Sequence, residues 1–184
     1  MSAVYSSPAF VGLSLWLVPR DPAQTELQSI IDELATTHGT PTFAPHITLA
    51  AGLKGDKEAI VSACDQLATR LPPMELEIDD CSCKDLYFQS VFALVKKEDN
   101  LMQAERTTME ALGHFDPAAG GDYMPHASLL YGDLDMAIRH SIVQAVADKV
   151  KGKVFHVGSM ELWSTKGTVK DWERVHSFPL LPGP

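Results

Sequence analysis

Two histidines of this chain stand in one recurring frame, Pro45-His46-Ile47-Thr48-Leu49 and Pro125-His126-Ala127-Ser128-Leu129. Two chance occurrences of Pro-His-x-(Thr/Ser)-Leu in a sequence this size have odds of roughly one in ten thousand or less at average amino-acid usage. A proline before the histidine keeps the preceding residue extended and suits the first position of a strand. On a strand, alternate residues share a face roughly 6 to 7 Å apart, so each frame offers one imidazole and one hydroxyl together. Two imidazoles opposed across a small anion suit phosphoryl transfer. Water must lose a proton on one side of phosphorus while the departing oxygen gains one on the other, and a neutral imidazole with an imidazolium does both near neutral pH. The hydroxyls of Thr48 and Ser128 can donate to the non-bridging oxygens as the phosphorus becomes pentacoordinate. A lone strand histidine is more commonly structural, but folding has no use for repeating both polar members of the frame. His46 and His126 are therefore the expected catalytic pair. His38, His114, His140, His156 and His176 lack such a partner and are expected to be surface or satisfied structural histidines.

Zinc is the other chemistry that two histidines suggest. Each frame supplies one ligand, and no third Cys, His or carboxylate stands at a fixed spacing, so no metal is expected. No GxGxxG or GxxxxGK[ST] occurs, and no cofactor is expected either.

The elements that must hold the frames are legible from periodicity. Residues 11–19 alternate as a strand, with Val11, Leu13, Leu15 and Leu17 on one face. Asp21-Pro22 then opens a helix carrying Leu27, Ile30, Ile31 and Leu34, which Gly39 ends. Residues 43–53 form the next strand, Gly55-Asp56 restarts a helix with Ile60, Cys64, Leu67, Ala68 and Leu71 on one face, and 74–84 is a third strand. The same order follows with strands at 87–97 and 124–132, helices over 99–113 and around Ile138, Ile142, Ala145 and Val146, and closing strands at 153–164 and 173–181. The spans from Val11 to His46 and from Ser90 to His126 differ by one residue, so each frame sits on the middle strand of one of two similar β-α-β-α-β units. The expected fold is α+β in a single domain over 1–184, with two lobes at about 1–84 and 85–184. If they face one another across a pseudo-two-fold axis, both imidazoles and both hydroxyls meet in one cleft.

With 184 residues, 45% of them hydrophobic and 21% charged, the chain can bury a sizeable core. Its net charge of −9 opposes a long footprint on nucleic acid, where each phosphate contact wants a Lys or Arg, yet leaves a small anionic substrate open. Cys64, Cys81 and Cys83 form no CxxC pair and read as reduced thiols. Neither a signal peptide nor a membrane span is visible, and a cytoplasmic monomer is expected, with nuclear entry left open by its size.

At the two frames the sequence resembles the two-histidine phosphoesterases, and more narrowly the plant and fungal cyclic phosphodiesterases. The segments "LWLVP", "PTFAPHITLA", "YFQSVFALV", "YMPHASLLYG" and "DWERVHSFPL" carry the resemblance across nearly the whole chain. It implies two pseudo-symmetric lobes with antiparallel sheets facing a central cleft. It also implies opening of ADP-ribose 1″,2″-cyclic phosphate and of nucleoside 2′,3′-cyclic phosphates, with a place in tRNA splicing. His46, Thr48, His126 and Ser128 match the family's catalytic positions, Tyr131 matches a site tyrosine, and Trp16 and Phe88 match aromatics that flank a base or ribose. Strict alternation puts Tyr131 on the face opposite Ser128, so it contributes only where the strand bulges or ends. Trp163 and Trp172 read as core or hairpin packing. Unlike some plant members, residues 115–123 contain no cysteine, and Gly120-Gly121 suggests a mobile flap over the cleft. Two rivals stand beside this reading: a related enzyme acting on RNA ends, which the net charge disfavours, and a non-catalytic nucleotide-binding module, which has no need of both histidines.

Overall fold

The computed structural model describes residues 12–118 and 122–181, so Val11 and the Gly120-Gly121 pair of the expected flap lie outside the described residues. Its strands are β1 (Leu13–Pro19), β2 (Ile47–Leu53), β3 (Met74–Cys83), β4 (Val91–Val95), β5 (His126–Leu130), β6 (Val154–Ser164) and β7 (Glu173–Pro179). The helices are α1 (Ala23–His38), α2 (Lys57–Ala68), α3 (Asp99–Leu112) and α4 (Met136–Val150).

Local chemistry sets the boundaries. Asp21 caps α1 from just outside it, accepting from the Thr25 amide at 3.2 Å and the Thr25 hydroxyl at 2.6 Å, so the helix begins at Ala23. Gly39 closes it in the left-handed region at φ 66°. Asp56 caps α2 by accepting from the Ala59 amide at 2.9 Å. The strand expected over 87–97 is shorter: Tyr87–Gln89 form a 3-10 turn and the ladder begins at Val91. The backbone of that turn bonds to loops, with the Lys84 amide donating to Gln89 O and the Gly132 amide to Tyr87 O.

All pairings are antiparallel, in the order β1-β2-β5-β4-β3-β6-β7, and β6 also pairs with β1. Six strands thus close a ring and β7 extends it beyond β6. The two β-α-β-α-β units interlock within it, because the third strand of each, β3 or β6, pairs with the first strand of the other, β4 or β1. The helices follow the same exchange, with α1 packing on β5 and α3 on β2. An aliphatic core that includes Leu15, Leu17, Ile47, Leu129 and Leu162 fills the space between helices and sheet. Burying each such side chain contributes about 1.5–3 kcal/mol, enough to hold polar side chains of the same strands in a partly dry cleft. A smaller cluster gathers Ile31, Phe43, Tyr87, Tyr131 and Val169, with Phe88 and Trp172 packed against it.

Candidate active site

The middle strands of the two units meet through one pair, Ile47 opposite Ala127, the residues directly after the two histidines. Antiparallel register then sets His46 across from Ser128 and His126 across from Thr48. The pseudo-two-fold axis passes between them. Each imidazole therefore faces the hydroxyl of the other repeat, and all four side chains line one cavity of about 220 Å³.

The frame also orients the rings. His46 Nδ1 lies 2.7 Å from Ala44 O, and His126 Nδ1 lies 2.8 Å from Met124 O. A carbonyl only accepts, so Nδ1 carries a proton in both rings and Nε2 is the nitrogen left for the cleft. The prolines place these carbonyls, since Pro45 and Pro125 carry the chain from the accepting residue to the histidine. They also have no amide proton to compete for them. As a neutral ring each Nε2 accepts a proton, and as imidazolium it donates one.

Tyr131 joins the pair despite simple alternation. On β5, Ser128 faces Phe92 while Leu130 faces Val91, which leaves Leu129 as an extra residue in the ladder. This bulge shifts the phase, the strand ends at Leu130, and Tyr131 turns into the cavity beside Ser128. Its hydroxyl lies 3.5 Å from His46 Nε2. Ser128 Oγ donates to Phe88 O at 3.3 Å, which ties the second frame to the Tyr87–Gln89 turn. Phe88 lines the cavity. Trp16 does so too, but its indole lies flat against the His46 ring, with centroids 3.6 Å apart and planes 9° from parallel.

Trp172 is not simple hairpin packing: it lines the cavity and stacks with Phe88 at 5.7 Å. Trp163 packs instead on Trp16, at 4.7 Å. Ser14, Gln89 and Thr165 complete the polar lining. Ser14 was within reach of the sequence, because period two places it on the Trp16 face of β1. Thr165 and Trp172 come from the connection between β6 and β7 and carry no periodic signal. On the segment before the second frame, the described ends are fastened to β2, Ala118 N donating to Ala51 O and Tyr123 Oη to Thr48 O. The other five histidines bear no part in the cavity.

Burial dominates the electrostatics. His46 is 5% exposed and its pKa is lowered to about 4, chiefly by desolvation and secondarily by His126, against the opposing bond to Ala44 O. His126 is lowered as well, by desolvation first and by Lys84 after it. Burial also raises the Tyr131 phenol, which stays a neutral donor. Unfolded, His46 titrates near its ordinary value of about 6.5, so below that pH the unfolded chain binds the extra proton and the folded chain resists it. Stability from this group is unchanged above about pH 6.5 and falls by as much as ~3 kcal/mol as the pH drops toward 4. His46→Gln is expected to flatten that slope in urea melts between pH 7 and 4.5. Identical slopes in the two proteins would place the titration elsewhere.

Among the described residues no group of three or more His, Cys, Asp and Glu side chains is placed to hold a metal ion, and no helix is long and apolar enough to cross a membrane. Residues 11–180 match the model of a family described as cyclic phosphodiesterase-like protein. A cyclic phosphodiesterase of Arabidopsis thaliana is 27% identical over 179 residues, covering 92% of this chain and 95% of the relative. The apo crystal structure of E. coli LigT is similar in fold, with a TM-score of 0.59, 18% identity and coverage of 96% of this chain and 99% of that one. LigT complexed with 3′-AMP gives a TM-score of 0.60 at 16% identity, over 94% and 98% of the two chains.

Proposed function

The chain belongs to the cyclic phosphodiesterase-like family of the two-histidine phosphoesterases, enzymes of phosphodiester hydrolysis, and from that premise we propose that it opens small cyclic phosphates without a metal. The substrates are ADP-ribose 1″,2″-cyclic phosphate, giving ADP-ribose 1″-phosphate, and nucleoside 2′,3′-cyclic phosphates, giving 2′-phosphates. The observation that carries this reading is the Ile47–Ala127 junction, which aims two Nε2 atoms with carbonyl-held Nδ1 protons into one cleft.

His46 has the more strongly lowered proton affinity and takes the base role. Its neutral Nε2 removes a proton from water as the water oxygen attacks phosphorus. His126, as imidazolium, gives its Nε2 proton to the ester oxygen as that P–O bond breaks. A bound phosphate anion favours the charged form of His126 and so loads the acid. Thr48 and Ser128 donate to the non-bridging oxygens, Ser128 turning away from Phe88 O to do so. Tyr131 remains protonated and stands as a further donor beside the base. The rings of Phe88 and Trp172 form an apolar wall for the base or ribose. LigT, a structure of this fold, has been crystallised with phosphate, 3′-AMP, ATP and NADP+, which supports a phosphate-bearing nucleotide as the occupant.

Purified protein with ADP-ribose 1″,2″-cyclic phosphate and the four nucleoside 2′,3′-cyclic phosphates, with and without excess EDTA, tests the reading. Turnover is expected to survive the chelator, because acid, base and anion donors are all side chains. Loss on chelation with recovery on adding a divalent ion would overturn the metal-free mechanism. Binding without turnover would favour a nucleotide-binding module.

A further inference from the structure

The His46 ring is backed by more than Trp16. β1 lies between β2 on one side and β6 on the other, with Trp16 opposite Thr48 of β2 and Glu161 of β6. The indole therefore has His46 on its β2 side and Trp163 on its β6 side, the latter at 4.7 Å and 22°. With both faces covered, Trp16 offers the cavity an edge and has no free face on which a base could stack. Trp163 is fixed in turn, its Nε1 donating to Glu161 Oε2 at 2.8 Å. Arg174 of β7 donates to the other oxygen, Glu161 Oε1, at 2.9 Å. The Glu161 side chain is only 11% exposed, so both of its oxygens are held in a drier setting than a surface pair.

We infer that Glu161, Trp163 and Trp16 are positioning residues for the reaction, a buttress running across the sheet from β7 to β2 that holds the His46 imidazole in its working orientation. The inference rests on the proposed role of His46 as base. Two constraints fix a ring: a hydrogen bond sets its rotation in plane, and a stacking surface sets the plane itself. Ala44 O supplies the first. Trp16 supplies the second, and it can do so only if Trp163 stops it from tilting away. Glu161, beside it on β6, holds the Trp163 indole in turn. Trp16 thereby moves from a substrate-flanking residue to one that acts through the histidine.

The titratable groups facing His46 are His126 and Tyr131, whereas Glu161 lies on β6, across Trp16 from the imidazole. Loosening the stack should then change His46 mainly by admitting water, which lets its pKa climb back toward the ordinary range. The test compares wild type with Trp163→Ala, Trp163→Phe, Glu161→Gln, Glu161→Leu and Trp16→Phe. Steady-state kinetics on 2′,3′-cyclic AMP give kcat and KM, and carbon NMR of the histidine Cε1 groups gives the His46 titration. In Trp163→Ala kcat is expected to fall on the order of 10-fold with KM within about 2-fold, since small misplacement of a reacting group acts on the chemical step. The His46 titration should rise. Trp163→Phe restores the ring and most of the rate, and Glu161→Gln keeps an acceptor for the indole and outperforms Glu161→Leu.

The idea is overturned if folded Trp163→Ala keeps the wild-type kcat and His46 titration. It is equally overturned if Trp16→Phe raises KM alone, which is the mark of a substrate-stacking surface. Should Trp163→Ala not fold, the Glu161 pair reads the same contact. Failure of the wild type to turn over any cyclic phosphate would sink the proposed function, while the NMR titrations would still decide the buttress.

Discussion

Alanine at either His46 or His126 is expected to lower kcat by about 10²-fold or more, the scale for losing a general acid or base. The two losses should be similar in size, because the chemistry needs both protons moved in one passage. They should not multiply in the double mutant, since removing one partner already disables the pair. Thr48→Ala and Ser128→Ala should each cost roughly 10- to 100-fold, as lost hydrogen bonds to a charged group worth about 1.5–3 kcal/mol. The proteins should still fold. Each imidazole is hydrogen-bonded to a backbone carbonyl two residues away, His46 with a long Tyr131 contact besides, and the ring of strands is closed by backbone pairings. Circular dichroism melts beside the kinetics separate a chemical from a structural loss. A folded variant of either histidine with near-wild-type kcat would end the two-histidine assignment.

The histidines were legible because the repeat was: a frame that recurs at matched distance along two units marks its own polar members, whatever the fold. The face shared by His46 and Thr48 follows from period two alone. Periodicity, however, assigns a residue to a strand and a face, never a strand to its neighbours. Nothing in the apolar pattern of β3 or β6 says that each pairs with the other unit, because Ile78 or Leu162 is buried equally well beside any strand. The Ile47–Ala127 junction that brings the frames together was likewise beyond reach, being a long-range register fixed by closure of the whole ring.

Tyr131 shows the limit in one residue. Alternation put it on the wrong face, and the single extra residue at Leu129 reversed that. The signal was present only as Gly132, two residues past the end of the strand, which sits at φ 158° with Thr40 close to where a Cβ would stand. Trp16 shows the converse. The sequence found its face and its nearness to the site, but which neighbour its indole would lie against depends on β6 standing beyond β1, and with that on Trp163 and Glu161.

Hydrolysis of 2′,3′-cyclic AMP is expected to give a single isomer, adenosine 2′-phosphate, with the 3′-phosphate absent from the product. A 2′,3′-cyclic phosphate has two ester bonds to one phosphorus. Attack in line with one places water and leaving oxygen on opposite sides, and the alternative requires the ring to be turned over. His46 and His126 are not interchangeable here. His46 is the drier of the two, wedged against Trp16 and beside the Tyr131 hydroxyl, whereas His126 meets the edge of Phe92 and has Lys84 nearby. The base and acid sides of the cavity are thus chemically distinct, and a nucleoside resting on Phe88 and Trp172 has one seating that sets attacking water at His46. In the seating that yields the 2′-phosphate, the departing 3′-oxygen lies beside His126. Phosphorus NMR of the reaction mixture reads the outcome directly. A lone 3′-phosphate would keep the fixed pair and reverse the seating of the sugar, while comparable amounts of both isomers would mean that two rigid strands do not hold the ring between two fixed imidazoles at all.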